Sequence, residues 1–229
     1  MDIAFLIFDR ITALDAIGPY EVLSRLPDAT VRFVAAEPGP IRTDTGFLTL
    51  IADYGLDDVV DPDVLVVPGG PGTRALLDDA DVLSWIRAVH TTSRWTASVC
   101  TGALLLGAAG VLAGLGATTH WAAQESLADY GAEASSARIV ENGKVITAAG
   151  VSAGIDLGLR LAQLAAGEEM ARAIQLVIEY DPMAPFDAGS PAAAGPETVA
   201  LAQELLRSPF ATPPPPARTP TRPWSDGGR

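Results

Sequence analysis

The sequence predicts an α/β domain in which a mostly parallel sheet is sandwiched by helices. Three observations carry that expectation. Short, almost wholly apolar runs recur along the chain (IAFLIF, VRFVAA, DVLVV, WTASV), which is how strands covered on both faces read. Segments of helical periodicity separate most of these runs, and alternating strands and helices imply parallel pairing through right-handed crossovers. Two of the runs enter small-residue turns, PGGPG and CTGA, at their carboxyl ends, where such sheets place their sites.

In chain order, Asp2 to Phe8 forms the first strand. ITALDAIGPYEVLSRL follows as a helix with Leu14, Ile17, Val22 and Leu26 on one face and Gly18-Pro19 near its first turn. Val31 to Ala36 is a second buried strand; EPGPIRTDTG is turn-rich, and FLTLIADYGL adds a short antiparallel excursion. Val64 to Val67 is a strand running directly into Pro68-Gly69-Gly70-Pro71-Gly72, and DDADVLSWIRAVH is a helix. WTASVC repeats the pattern, with TGALLLGAAGVLAG as its helix. After ATTHW, the pair ARIVENGKVITAAG carries Asn142-Gly143, a strong hairpin signal, and SAGIDLGLRLAQLAAGEEMARAIQLVIEY reads as one long amphipathic helix. DPMAPFDAGSP is a loop and PETVALAQELLR a last helix. The composition changes at Pro209, so residues 1–208 are expected to form the domain and the Pro-rich residues 209–229 a disordered tail.

Composition narrows the function. The 229 residues carry 15 Lys plus Arg against 28 Asp plus Glu, a formal charge of −13 that repels phosphate backbones, so no nucleic-acid partner is expected. No apolar run reaches the ~18 residues of a membrane span, and MDIAFLIFDR lacks a basic leader and a cleavage site, so no membrane partner and a cytoplasmic location are expected. One cysteine excludes an internal disulfide, and two histidines, His90 and His120, are too few for a zinc site of the usual kind; no metal is expected.

Cys100 is the first candidate for chemistry. A lone cysteine often only packs, but this one ends a strand where a helix begins. The helix's unpaired N–H groups would lower its pKa toward the thiolate, and Gly102 and Ala103 leave room for a sharp elbow. The PGGPG turn matches neither a dinucleotide fingerprint nor a phosphate loop. Its expected use is an oxyanion-type hole in which the Gly70 and Thr101 N–H groups face charge developing beside the sulfur, with Gly69 at the pocket. Asp15 reads as a helix N-cap or, among apolar Leu14, Ala16 and Ile17, as a partly desolvated acid with a raised pKa. Glu21 lies on another face of that helix. Thr101 is either a helix cap or a hydroxyl that relays a proton or holds a water. His120 is either a core histidine or a pocket residue, and His90 receives no role.

The segments FLIFDRITALDAIGPYEVL, EPGPI, VVPGGPG, SVCTGALLLGAAGVL, ATTHW, AGIDLGL and APFDAGSP, spanning roughly residues 3 to 191, resemble the ThiJ/PfpI superfamily. Its flavodoxin-like fold with a cysteine nucleophile elbow is related to class I glutamine amidotransferases. The resemblance is strongest to the branch that hydrates isonitriles to N-substituted formamides. That branch's functional cysteine, the threonine after it and the aspartate of the LD–GP segment correspond to Cys100, Thr101 and Asp15. Many relatives acting as glyoxalases, deglycases or peptidases carry glutamate near the Asp15 position, so aspartate favours the hydratase branch. The resemblance implies a small neutral isonitrile and water as reactants, no cofactor and a homodimer. The alternatives are a cofactor-free glyoxalase or deglycase, an oxidation-sensing protein, or the ligand-sensing domain of a regulator. Such regulators carry a helix-turn-helix region after this domain, for which the sequence offers only PETVALAQELLR and the Pro-rich stretch.

Overall fold

Strands form where the apolar runs predicted them, and also at Gly39–Arg42, Gly116–Ala117 and Glu133–Ala134, where none was expected. They are β1 (Asp2–Leu6), β2 (Thr30–Ala35), β3 (Gly39–Arg42), β4 (Thr49–Ala52), β5 (Tyr54–Gly55), β6 (Val64–Val67), β7 (Trp95–Val99), β8 (Gly116–Ala117), β9 (Glu133–Ala134), β10 (Ile139–Asn142) and β11 (Val145–Ala148). In this computed structural model, which describes residues 1–207, seven of them make one sheet in the order β10-β11-β7-β6-β1-β2-β5. The pairs β1–β2, β1–β6, β6–β7, β7–β11 and β2–β5 are parallel. Only the Asn142-Gly143 hairpin, β10–β11, adds an antiparallel strand to this sheet. The Pro-rich residues 209–229 lie outside the described residues.

Two groups of helices flank the sheet. α1 (Ala13–Leu23), α5 (Ala153–Ala166) and α6 (Glu168–Val177) pack together. α2 (Thr73–Leu76), α3 (Ala80–Thr92), α4 (Gly102–Ala108) and a 3-10 segment, Trp121–Tyr130, form the other group. α7 (Pro191–Ala194) and α8 (Pro196–Arg207) end the described chain. The central strands β1, β6 and β7 are buried on both faces, with Ile3, Phe5, Val64, Val66, Ala97 and Val99 fully covered.

Three expectations are corrected. The buried face of α1 is Asp15, Ala16, Gly18, Pro19, Val22 and Leu23, whereas Leu14 is exposed. The reason is that α1 packs closely along α5, which itself lies on the sheet. A Cβ on Gly18 would come within 3.2 Å of Ile155, and one on Gly158 within 2.9 Å of Val22. Pro19 lies inside α1, where it denies the Asp15 carbonyl its usual intrahelical donor. The segment read as one long helix is two, because Gly167 at φ +88° breaks it between α5 and α6. The segment read as turn-rich, EPGPIRTDTG, supplies β3, which pairs with β4 in the antiparallel excursion expected there, separate from the main sheet, while Tyr54–Gly55 returns to pair with β2.

The strand order brings the chemistry together. The chain runs outward from β1 to β2 and β5, then reverses to β6 and β7 on the other side of β1. The loop and helix after β1, the PGGPG turn after β6 and the Cys100 turn after β7 therefore lie side by side at one sheet edge.

Candidate active site

Cys100 occupies the sharp turn between β7 and α4 with φ +57°, a left-handed conformation that a side-chain-bearing residue rarely adopts. The surroundings hold it there. Its N–H donates to the Ala148 and Ala149 carbonyls at 3.1 and 2.9 Å, and its own carbonyl accepts the Thr119 hydroxyl at 2.7 Å. Gly102 lets the turn close against β6, since a Cβ there would stand 2.0 Å from the Val67 carbonyl oxygen.

The N–H groups of Thr101 and Val151 point to the sulfur. Val151 sits at φ +35° just before α5, so two backbone turns from opposite sides form the donor pair. Even so, burial first and the Asp15 charge second push the Cys100 thiol well above its ordinary range; the N–H groups only partly offset this. The resting group is a thiol, which corrects the expectation of a helix-stabilised thiolate. α4 is only two turns long, and its field does not overcome the desolvation.

Asp15 is fully buried one turn into α1, not at its N-cap, which is Thr12. Oδ2 accepts the Gly69 N–H at 2.9 Å, while Oδ1 has no hydrogen-bond partner among the described residues. Burial raises its pKa to about 7; the Gly69 N–H and the Cys100 thiol pull it down, and the Asp44 carboxylate adds a further upward push. Asp15 and Cys100 interact directly and titrate as a pair. Glu21 is elsewhere, in an exposed ion pair with Arg25.

The glycine turn is arranged differently from expectation. The Gly70 N–H donates to Thr101 Oγ1 at 2.9 Å instead of facing the sulfur. The oxyanion role assigned to Gly70 is therefore corrected: its donor is already engaged by the hydroxyl that the PGG turn and the elbow bring together. Thr101 makes no side-chain cap to α4; its hydroxyl returns to the Gly70 carbonyl at 3.2 Å, near Thr73 Oγ1 at 3.4 Å. Gly69 is required by crowding. A Cβ there would lie 2.5 Å from Thr101 N, 2.6 Å from Thr101 Oγ1 and 2.9 Å from Asp15 Oδ2.

A cleft of about 560 Å³ adjoins the elbow, lined by Thr119, His120, Trp121, Gly150, Val151 and Ser190 among others. Val151 thus touches both the sulfur and the cleft. His120 forms part of its wall, with Nδ1 accepting the Ala122 N–H at 3.3 Å and the ring packed against Gly150. Burial lowers its pKa, so the ring is neutral and serves as wall and as cap of the 3-10 segment. His90 lies apart, its Nδ1 2.9 Å from Thr96 Oγ1. Among the described residues, no group of three His, Cys, Asp or Glu side chains converges as a metal site, and no helix is long and apolar enough to cross a membrane.

Sequence reasoning missed Thr119, Val151 and Asp44. Thr119 lies in the ATTHW motif, which could have marked it. Val151 acts through a backbone N–H, which leaves no residue-type signature.

The DJ-1/PfpI family model matches residues 1–164. The chain is 44% identical over 191 residues to the isonitrile hydratase of Pseudomonas putida, covering 83% of each protein. It is similar to a solved ThiJ/PfpI family protein from Pseudomonas syringae, with a TM-score of 0.85 and 38% identity, covering 90% of this chain and 85% of that one. Drosophila melanogaster DJ-1beta shares the fold at a TM-score of 0.70 and 20% identity, over 78% of this chain and 97% of that one. With its buried acid, its glycine turn and its cysteine elbow on three adjacent parallel strands, this chain belongs to the DJ-1/PfpI family.

Proposed function

We propose that the protein is an isonitrile hydratase, converting R–N≡C and water to an N-substituted formamide through a Cys100 thioimidate. The observation that carries this reading is the Asp15–Cys100 pair: a buried carboxyl that titrates near pH 7 against a thiol on a strained elbow. The similarity to the Pseudomonas putida hydratase supports the choice of substrate class.

An isonitrile carbon accepts both a nucleophile and a proton. With one proton on the pair, Asp15 takes it from the thiol and passes it to that carbon while the sulfur attacks, giving R–N=CH–S–Cys100. The Thr101 and Val151 N–H groups stabilise the sulfur while it carries negative charge. Asp15, again a carboxylate, then takes a proton from a water that adds to the thioimidate carbon and passes that proton to the nitrogen. The adduct R–NH–CH(OH)–S–Cys100 collapses to R–NH–CHO, returning a proton to the sulfur. Thr101, hydrogen-bonded to Gly70 beside Asp15, is the candidate for positioning that water. The hydration needs no external electron donor or acceptor, so the proposal calls for no cofactor. The cleft wall of Trp121, His120 and Ser190, with the Arg138 cation paired to Asp156, suits a neutral substrate.

The test incubates purified protein with cyclohexyl isocyanide and, separately, with methylglyoxal. Formamide from the isonitrile is the expected product. Lactate without formamide would move the protein to the glyoxalase reading, and no product from either substrate would also defeat the hydratase reading. Cys100→Ala is expected to abolish turnover while preserving the circular dichroism spectrum.

A further inference from the structure

The loop between β1 and α1 is gripped from two sides. The glycine turn holds one side, with the Thr12 N–H donating to the Gly69 carbonyl at 3.0 Å and the Gly72 N–H to the Arg10 carbonyl at 3.2 Å. The β3–β4 hairpin holds the other. The Arg10 N–H donates to the Arg42 carbonyl at 2.7 Å and the Asp44 N–H to the Ile11 carbonyl at 2.8 Å. One side-chain bond completes this grip: the Thr12 hydroxyl donates to Asp44 Oδ2 at 2.7 Å. Thr12 is the N-cap residue of α1, yet its hydroxyl makes no capping bond and is turned to Asp44 instead. Asp44 Oδ1 is in turn fixed by the Thr45 N–H at 2.8 Å.

We propose that Asp44 is a positioning residue for Asp15: through Thr12 it anchors the first turn of α1 so that the buried carboxyl meets Gly69 and Cys100. Asp44 does not touch the reacting atoms. Its negative charge also disfavours a second one on Asp15, so it helps the Asp15–Cys100 pair keep its protons. The groups facing Asp15 are the Gly69 N–H from the turn after β6, the Cys100 thiol from the turn after β7, and Asp44 from the hairpin. α5, packed against α1 at Gly18, presents uncharged Gly154 and Ile155 there.

Two variants separate clamp from charge. Asp44→Asn retains an acceptor for Thr12 and removes the charge; Thr12→Val retains the charge and removes the clamp. The first readout is the pH titration of the Asp15 carboxyl, followed by infrared difference spectroscopy with Asp15→Asn as the assignment control, which needs no substrate. In Asp44→Asn its midpoint is expected to move down by roughly 0.3–1 pH unit, with the melting temperature unchanged. The second readout, which rests on the hydratase reading, is isonitrile turnover. Thr12→Val is expected to lower kcat several-fold with KM little altered. An unmoved Asp15 midpoint in Asp44→Asn, or an unchanged kcat in a folded Thr12→Val, overturns the proposal. Should the wild-type protein hydrate no isonitrile, the hydratase reading fails on its own, and the Asp15 midpoint still decides the role of Asp44.

Discussion

Asp15 is a buried carboxyl whose anion is met only by the Gly69 N–H and the Cys100 thiol, which repay part of its desolvation, while the Asp44 carboxylate adds to the cost. The pair holds two protons below about pH 7 and one above it. In the proposed mechanism the one-proton state supplies both nucleophile and acid, so kcat/KM for the isonitrile is expected to rise with pH through about 7 and then level off. A rate that falls over that interval would contradict the assignment. Asp15→Asn removes the proposed proton carrier and is expected to slow turnover by about 10²–10⁴-fold. The same residue sets a stability trend. Its folded pKa of about 7 exceeds the ordinary 3.8, so the folded state binds the extra proton and its stability declines as pH rises from near 4 to near 7. The melting temperature of Asp15→Asn should be flatter over that window. Thr119→Val would strip the Cys100 carbonyl of its buried donor at a cost of about 1–3 kcal/mol, measurable by urea denaturation.

At the scale of elements, the contact between α1 and α5 governs the site from below. α1 carries Asp15, and the turn that opens α5 carries the Val151 N–H, so their separation sets how acid and donor meet at the sulfur. Glycines make that contact close: a Cβ on Gly154 would lie 3.0 Å from Pro19, and one on Gly158 2.9 Å from Val22. Gly158→Val is expected to cost about 1–3 kcal/mol through overpacking and to reduce turnover, because the helices must part. Gly102 is less forgiving, since its neighbour is the backbone of β6 and not a side-chain tip. These glycines were visible as residues in the sequence but not as contacts. Local periodicity also misassigned the buried face of α1, because that face is chosen by α5, whose packing lies more than a hundred residues away in the chain.

For the whole molecule, the homodimer stands as a proposal supported by one surface. Phe47, Leu48 and Ile51 on the β3–β4 hairpin are large, apolar and exposed, at 68%, 42% and 54% of their full area. Light scattering after gel filtration is expected to give about twice the 23.7 kDa chain mass, and a monomer at micromolar concentration would remove the proposal. The net charge of −13 opposes binding to phosphate polymers.

Cys100 at an elbow, a glycine turn on a neighbouring strand and a parallel sheet were all legible in the sequence, since apolar runs and small-residue turns are local signals. Asp15 was legible as a candidate with two readings. Tertiary structure decided between them by burying the carboxyl completely beside the thiol. It also decided the direction of the thiol's titration, the engagement of Gly70 by Thr101, and the use of Val151 and Thr119. Each of these depends on desolvation or on backbone groups meeting across the sheet edge. Neither is encoded in residue type or spacing along one segment. A sequence names the groups available for chemistry; the dielectric around them and the donors that reach them exist only once the strands are side by side.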